Sequence, residues 1–191
     1  MHKKASHNLH KFFSPNSVAV LGASRDEKKI GHIVLKNIVN SGFRGQIFPI
    51  NPKAESIIGM DCFKSYDKLP EVPDLAIISL PVELVLKTLE SIAKKGTQNI
   101  IVFSAGFKEA GKQGEEMEKN LRTTAERLNL NILGPNCLGF ASTESSINAT
   151  FSRVGGTRGN LRFMSQSGAL ASGIFDWARQ NNIGFSEFIT L

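Results

Sequence analysis

A chain of 191 residues, 41% hydrophobic and 21% charged, has room for one α/β domain and a piece more, and its make-up argues against disorder. Two cysteines, Cys62 and Cys137, stand far apart without a CxxC pair, so neither a zinc site nor a disulfide framework is indicated, no metal is expected, and a reducing, cytoplasmic setting fits. No apolar run approaches the ~18–20 residues a membrane span needs, and a net charge of +6 favours an anionic partner over a neutral one, unless it only solvates the surface.

Residues 1–11 are polar and basic with no apolar segment behind them, which reads as a flexible arm and not as a secretion signal. Residues 17–22 (SVAVLG) are a β-branched run ending in glycine, and 30–40 follow with helical spacing stopped by Gly42. Residues 46–50 (QIFPI) form a second strand whose ladder weakens near Pro49. Strands at 74–79 and 99–103 then alternate with helices at 82–95, ended by Gly96, and at 115–128, before a fifth strand opens at 131–133. Apolar strands alternating with helices mean βαβ units and a parallel sheet covered on both faces. The fold class is therefore α/β: a Rossmann-like, doubly wound parallel sheet running to about residue 145, in a domain over 12–149. Residues 150–159 (TFSRVGGTRG) are polar and Gly-rich, as a linker is. A strand at 160–164, a tight turn at 165–168, a helix at 169–180 and a strand from 185 then read as the start of a second α/β domain over 160–191, and the chain as a fragment.

In doubly wound sheets ligands bind beyond the carboxyl ends of the strands, so those loops carry the candidate residues. After the first strand come Gly22, Ala23, Ser24 and Arg25: a glycine for a tight turn, a hydroxyl, and a guanidinium suited to phosphate. This is neither G-x-G-x-x-G nor a Walker loop, and an ordinary βα turn explains it about as well. The second strand ends at Asn51, Pro52 and Lys53, where dinucleotide-binding sheets carry an acid for the ribose; a lysine there suits a phosphorylated ribose. The third ends at Ser79, Leu80 and Pro81, and the fourth at Ser104, Ala105, Gly106 and Phe107. The fifth ends at Gly134-Pro135-Asn136-Cys137-Leu138-Gly139. None of the histidines, at 2, 7, 10 and 32, has a context that makes it a base for Cys137, so a packed thiol is the preferred reading and no catalytic residue is assigned. Ser165, Gln166, Ser167 and Gly168 join a strand to a helix start, which is either an anion site or a serine cap without a ligand.

In this order, Val18–Ser24, Asn51-Pro52-Lys53, the Gly134–Gly139 run and Ser165-Gln166-Ser167-Gly168-Ala169-Leu170 resemble the NDP-forming acyl-CoA synthetases, a family that includes ADP-forming acetate–CoA ligase and the α subunit of succinyl-CoA synthetase. The resemblance runs from about Phe12 to the end of the chain. It implies that residues 12–149 bind coenzyme A and that 160–191 open a flavodoxin-like, succinyl-CoA-synthetase-like domain. It further implies that Gly22–Arg25 and Lys53 hold the ADP part of coenzyme A, and that Ser79–Pro81 touch nucleotide or pantetheine. Ser104–Phe107 would line the way to the thiol, Asn136 and Cys137 would lie near the reacting end, and Ser165–Gly168 would bind phosphate. The implied reaction interconverts acyl-CoA, ADP and phosphate with acid, coenzyme A and ATP through a phosphohistidine. That histidine, and an ATP-grasp domain or subunit binding ATP, ADP and magnesium, are expected outside these residues, so binding without turnover is expected of them. The implied partners are coenzyme A and a small carboxylic acid, and an oligomer is compatible with this.

Rival readings are a stand-alone coenzyme A module, the regulatory part of a protein acetyltransferase, and an NADP-dependent oxidoreductase. The missing G-x-G-x-x-G counts against the last. Nucleic acid fits poorly, since the aromatics are mostly Phe in apolar runs with no basic stretch interleaved.

Overall fold

A computed structural model describes residues 9–152 and 158–191. The arm expected over 1–11 lies outside the described residues up to residue 8. From His10 the chain is already a helical turn, α1 (His10–Phe13). Phe12 is buried there, and Lys11 Nζ meets Asp74 Oδ1 at 2.7 Å.

Five parallel strands form the main sheet: β1 (Ser17–Leu21), β2 (Gln46–Ile50), β5 (Leu75–Ile78), β6 (Asn99–Val102) and β7 (Asn131–Leu133), in the order β2-β1-β5-β6-β7. Between β2 and β5 lies a small hairpin, β3 (Ser56–Ile57) and β4 (Met60–Asp61). The connecting helices are α2 (Ile30–Asn40), α3 (Val82–Lys95) and α4 (Lys112–Leu128). Successive strand residues point to opposite faces. Val18, Val20, Leu75 and Ile77 therefore pack with Val34, Leu35 and Ile38 of α2. Ala19, Leu21, Ala76 and Ile78 pack on the other face with Val85, Leu89 and Ile92 of α3 and Leu121 of α4. Helices on both faces make the sheet doubly wound, as the apolar runs predict. β2 is the edge strand, where a sheet tolerates Pro49; its outer side is used by Phe63, whose N–H donates to the Pro49 carbonyl at 2.9 Å.

Two boundaries differ from expectation. α4 starts at Lys112, not at 115, and takes Gly114 into its first turn. A Cβ there would strike the Phe107 carbonyl oxygen, so the poor helix former is needed for packing. The parallel sheet ends at Leu133, short of the expected residue 145. The chain continues instead into an antiparallel hairpin, β8 (Gly139–Ser142) and β9 (Ile147–Thr150). This hairpin belongs to a second sheet with β10 (Arg158–Ser165) and β11 (Phe185–Thr190), in the order β10-β11-β8-β9. The reason is two-sided burial: Phe140, Ile147 and Ala149 complete the core over α2, while Ala141 packs toward the core of the second sheet. β10 and β11 are parallel, joined by α5 (Gly168–Gln180), as the start of a second α/β unit requires. The linker expected over 150–159 includes Thr150, which belongs to β9; its residues 153–157 lie outside the described residues.

Candidate functional site

The strand order of the main sheet, counted along the chain, is second, first, third, fourth, fifth, so the order reverses between β1 and β5. A crevice is expected beyond the carboxyl ends of those two strands, and one of about 430 Å³ lies there. The loops that make it are laid side by side by backbone hydrogen bonds. Gly22 N–H donates to the Ile50 carbonyl at 3.2 Å, and Ser79 N–H to the Leu21 carbonyl at 2.9 Å. Gly22 has φ +84°, and a Cβ on it would strike the Ser79 carbonyl oxygen. Gly31 is pressed onto the same turn, since a Cβ there would strike the carbonyl oxygen of Gly22. Only glycine lets the strand end, its neighbour and the helix start come this close. No side chain caps α2. Its first N–H groups and the positive end of its dipole make a ready place for an anion.

Of the residues nominated from the sequence, the crevice brings together Gly22, Ala23, Ser24, Asn51, Ser79, Leu80, Ser104, Ala105 and Asn136. It also uses Lys29, Ile30, Gly31, Phe103 and Phe151, which the sequence reading missed. The glycine in the first helical turn was the available signal for Gly31; Phe151 carried none, because it follows a hairpin the sequence reading did not foresee. Asn51 is a brace. Its Nδ2 donates to the Ala23 carbonyl at 2.8 Å, and its Oδ1 accepts from the N–H groups of Lys53 and Ala54 at 2.8 and 3.2 Å. Ser24 Oγ accepts from Asp26 N–H, and the imidazole of His32 lies 2.8 Å from the Ser24 carbonyl.

The other nominated residues lie around or behind the crevice. Arg25, Pro52 and Lys53 are exposed and do not line it; Arg25 Nε donates to the Ser56 carbonyl at 3.1 Å. Pro81 stands at the start of α3. Phe107 is 1% exposed and its ring is in the core, not in the crevice. The N–H groups of Gly106 and Phe107 both donate to Glu109 Oε1. Burial works against the charge of Glu109, yet these N–H groups and Lys108 hold its carboxyl below the ordinary range.

A second, smaller crevice of about 340 Å³ shares Asn136 and Phe151 with the first and reaches Cys137, Gln166 and Gly168. Cys137 is almost fully buried, and burial pushes its thiol up to about 12, which leaves no thiolate for attack at neutral pH. Ser165 Oγ accepts from Ser167 N–H at 3.0 Å, and Ser167 Oγ accepts from Leu170 N–H at 3.3 Å, so Ser167 caps α5. Larger hollows lie elsewhere. One of 490 Å³ near the carboxyl end of α2 is walled by side chains spent on the fold itself, such as Asn37 on the Thr150 and Ser152 carbonyls. One of 1040 Å³ is an open groove along α4.

The family model described as CoA binding domain matches residues 16–143, and the one described as Succinyl-CoA ligase like flavodoxin domain matches residues 158–191. The chain is 44% identical to acetate–CoA ligase [ADP-forming] I of Archaeoglobus fulgidus, over 96% of this chain and 26% of that protein. It is 41% identical to the α subunit of acetate–CoA ligase [ADP-forming] II of Pyrococcus furiosus, over 94% of this chain and 39% of that subunit. Among solved structures it is similar to the dinucleotide-forming acetyl-coenzyme A synthetase 1 of Ca. Korarchaeum cryptofilum in complex with phosphate and ADP, with a TM-score of 0.91 and 37% identity over 96% of this chain and 39% of that one. The chain thus spans between a quarter and two fifths of the length of these relatives. A parallel sheet with its crevice at the reversal of strand order, glycines that fit only by lacking a Cβ, and a model match over most of the length converge: this chain belongs to the CoA binding domain family.

Proposed function

We propose that the crevice binds coenzyme A and that the chain is the coenzyme A-binding portion of an ADP-forming acid–CoA ligase. The observation that carries this is the gathering of five separate loop ends on one crevice beside the uncapped start of α2. The diphosphate sits at that helix start and the Gly22–Arg25 turn. Lys53 and Arg25, exposed at the rim, meet the 3′-phosphate, and Ser79–Pro81 meet the nucleotide or pantetheine. The pantetheine passes Ser104 and Ala105 toward Asn136. In this reading Phe107 shapes the loop from the core, and Cys137 supports the wall without taking part chemically.

The shared rim at Asn136 and Phe151 supports a path from this crevice to the Ser165–Gly168 loop, which we assign to phosphate. The reaction proposed for the whole protein converts acyl-CoA, ADP and phosphate into a small carboxylic acid, coenzyme A and ATP. Phosphate displaces the thiolate of coenzyme A from the acyl group, a histidine takes the phosphoryl group from the acyl phosphate, and ADP takes it from the histidine. These residues supply the coenzyme A and phosphate positions. The phosphorylated histidine and a magnesium- and nucleotide-binding ATP-grasp partner lie in other residues. No helix among the described residues is long and apolar enough to cross a membrane, and the free cysteines agree with a cytoplasmic setting.

Calorimetry with coenzyme A, dephospho-CoA and NADP tests the reading. Coenzyme A binds best, loss of its 3′-phosphate weakens binding about tenfold, and Lys53→Ala largely erases that difference, with Arg25 keeping the remainder. Equal affinity for all three ligands defeats it.

A further inference from the structure

The turn between β1 and α2 has two successive carbonyl groups, each held by a side chain from another place in the sequence. Asn51 Nδ2 donates to the Ala23 carbonyl at 2.8 Å, and His32 Nδ1 lies 2.8 Å from the Ser24 carbonyl. A carbonyl oxygen only accepts, so His32 Nδ1 carries a hydrogen and donates it. His32 is a polar residue on the buried face of α2, only 8% exposed, among Gly31, Val34, Leu35 and Ile38. Buried polar groups are as a rule hydrogen-bonded, and the partner of this one is the Ser24 carbonyl.

The consequence lies on the other side of each peptide. A trans peptide is planar, and its N–H points opposite to its C=O. Holding the Ala23 carbonyl turns the Ser24 N–H away from Asn51; holding the Ser24 carbonyl turns the Arg25 N–H away from His32. Neither N–H donates to an acceptor among the described residues. Ser24 lines the crevice, and the uncapped start of α2 borders it.

We infer that His32 is a positioning residue for anion recognition: together with Asn51 it fixes two successive peptide planes so that the N–H groups of Ser24 and Arg25 stand ready for an anionic ligand group. On the coenzyme A reading, on which this rests for the ligand's identity, that group is the diphosphate. His32 touches no ligand; it acts through the Ser24 carbonyl.

Replacing His32 by Leu or Met removes the donor with little change in volume, and His32→Asn keeps an amide nitrogen at the δ position. Two readouts apply to each variant: the Ser24 and Arg25 amide resonances of the ligand-free protein, and coenzyme A affinity by calorimetry. The Leu and Met variants shift both resonances and bind coenzyme A about tenfold more weakly, while His32→Asn keeps the resonances near their wild-type positions and the affinity within about threefold. Wild-type resonances and affinity in the Leu or Met variant overturn the proposal, as does an equal loss in the Asn variant. If the wild-type protein binds no coenzyme A, the ligand assignment fails, and the amide resonances alone decide the role of His32.

Discussion

Two turns of this molecule lead from a strand into a helix and carry serines, yet they are built differently. The turn after β1 is braced from outside: Asn51 and His32 hold its carbonyls, and α2 begins with no side-chain cap. The turn after β10 is closed from within, since Ser165 takes the Ser167 N–H and Ser167 takes the Leu170 N–H. The first turn also closes partly on itself, since Ser24 Oγ takes the Asp26 N–H and Asp26 Oδ1 the Lys28 N–H; what the outside braces add is a fixed setting of the Ala23 and Ser24 carbonyls. On the proposed reading, the first turn is the one that receives the diphosphate. On the same reading, a phosphate at the second turn shares the loop with the hydroxyls of Ser165 and Ser167.

The largest expected effect that tests this contrast is at Gly31. Gly31→Ala drives a methyl into the Gly22 carbonyl oxygen and forces α2 away from the turn. We expect a loss of about 1–3 kcal/mol in chemical denaturation, with coenzyme A affinity falling as well. Unchanged stability would mean that the close approach is not needed. Next comes Ser167→Ala, which removes the cap of α5. It should cost about 1 kcal/mol in the same measurement and leave coenzyme A affinity at the wild-type value, because the cap is not part of the first crevice. An equal loss of affinity would show that the two turns work as one unit.

The smallest effect is electrostatic. Glu109 holds the Gly106 and Phe107 N–H groups with a carboxylate, whereas the Ser165–Ser167 loop relies on hydroxyls that do not titrate in this range. The Glu109 carboxyl lies below its ordinary value of 4.5 in the folded chain, so the unfolded chain takes up that proton first as pH falls. Its contribution is present above that value and is lost on acidification through the lower, folded one. Amide exchange compared between neutral pH and about pH 3 should show Gly106 and Phe107 losing protection before Ser167 and Leu170. The same sign applies to Asp74, where burial opposes the charge but Lys11 and Asn16 hold the carboxyl low.

Much of the fold was legible in the chain. α2, α3, β2 and β7 occupy the residues expected of them, because apolar spacing and the glycines after the helices are local signals. Residues 139–150 were not legible. Besides the hairpin's own pairing, β8 bonds to β11, nearly fifty residues further on, while Phe140, Ile147 and Ala149 complete the core over α2. Nothing within the segment announces either partner.

The site divides in the same way. The amino-acid sequence determined by itself where the crevice-forming loops lie, because strands must end and turns need glycine, serine and asparagine. It also marked Cys137 as a packed thiol. Tertiary structure alone decided which of those residues meet: that Asn51 braces Ala23 and that His32 reaches Ser24. It also decided that Phe107 turns into the core and that Phe151 joins the two crevices. The physical reason is range. Turn and helix signals act within a few residues, but a hydrogen bond or a steric contact across a crevice depends on how separate strands are laid side by side.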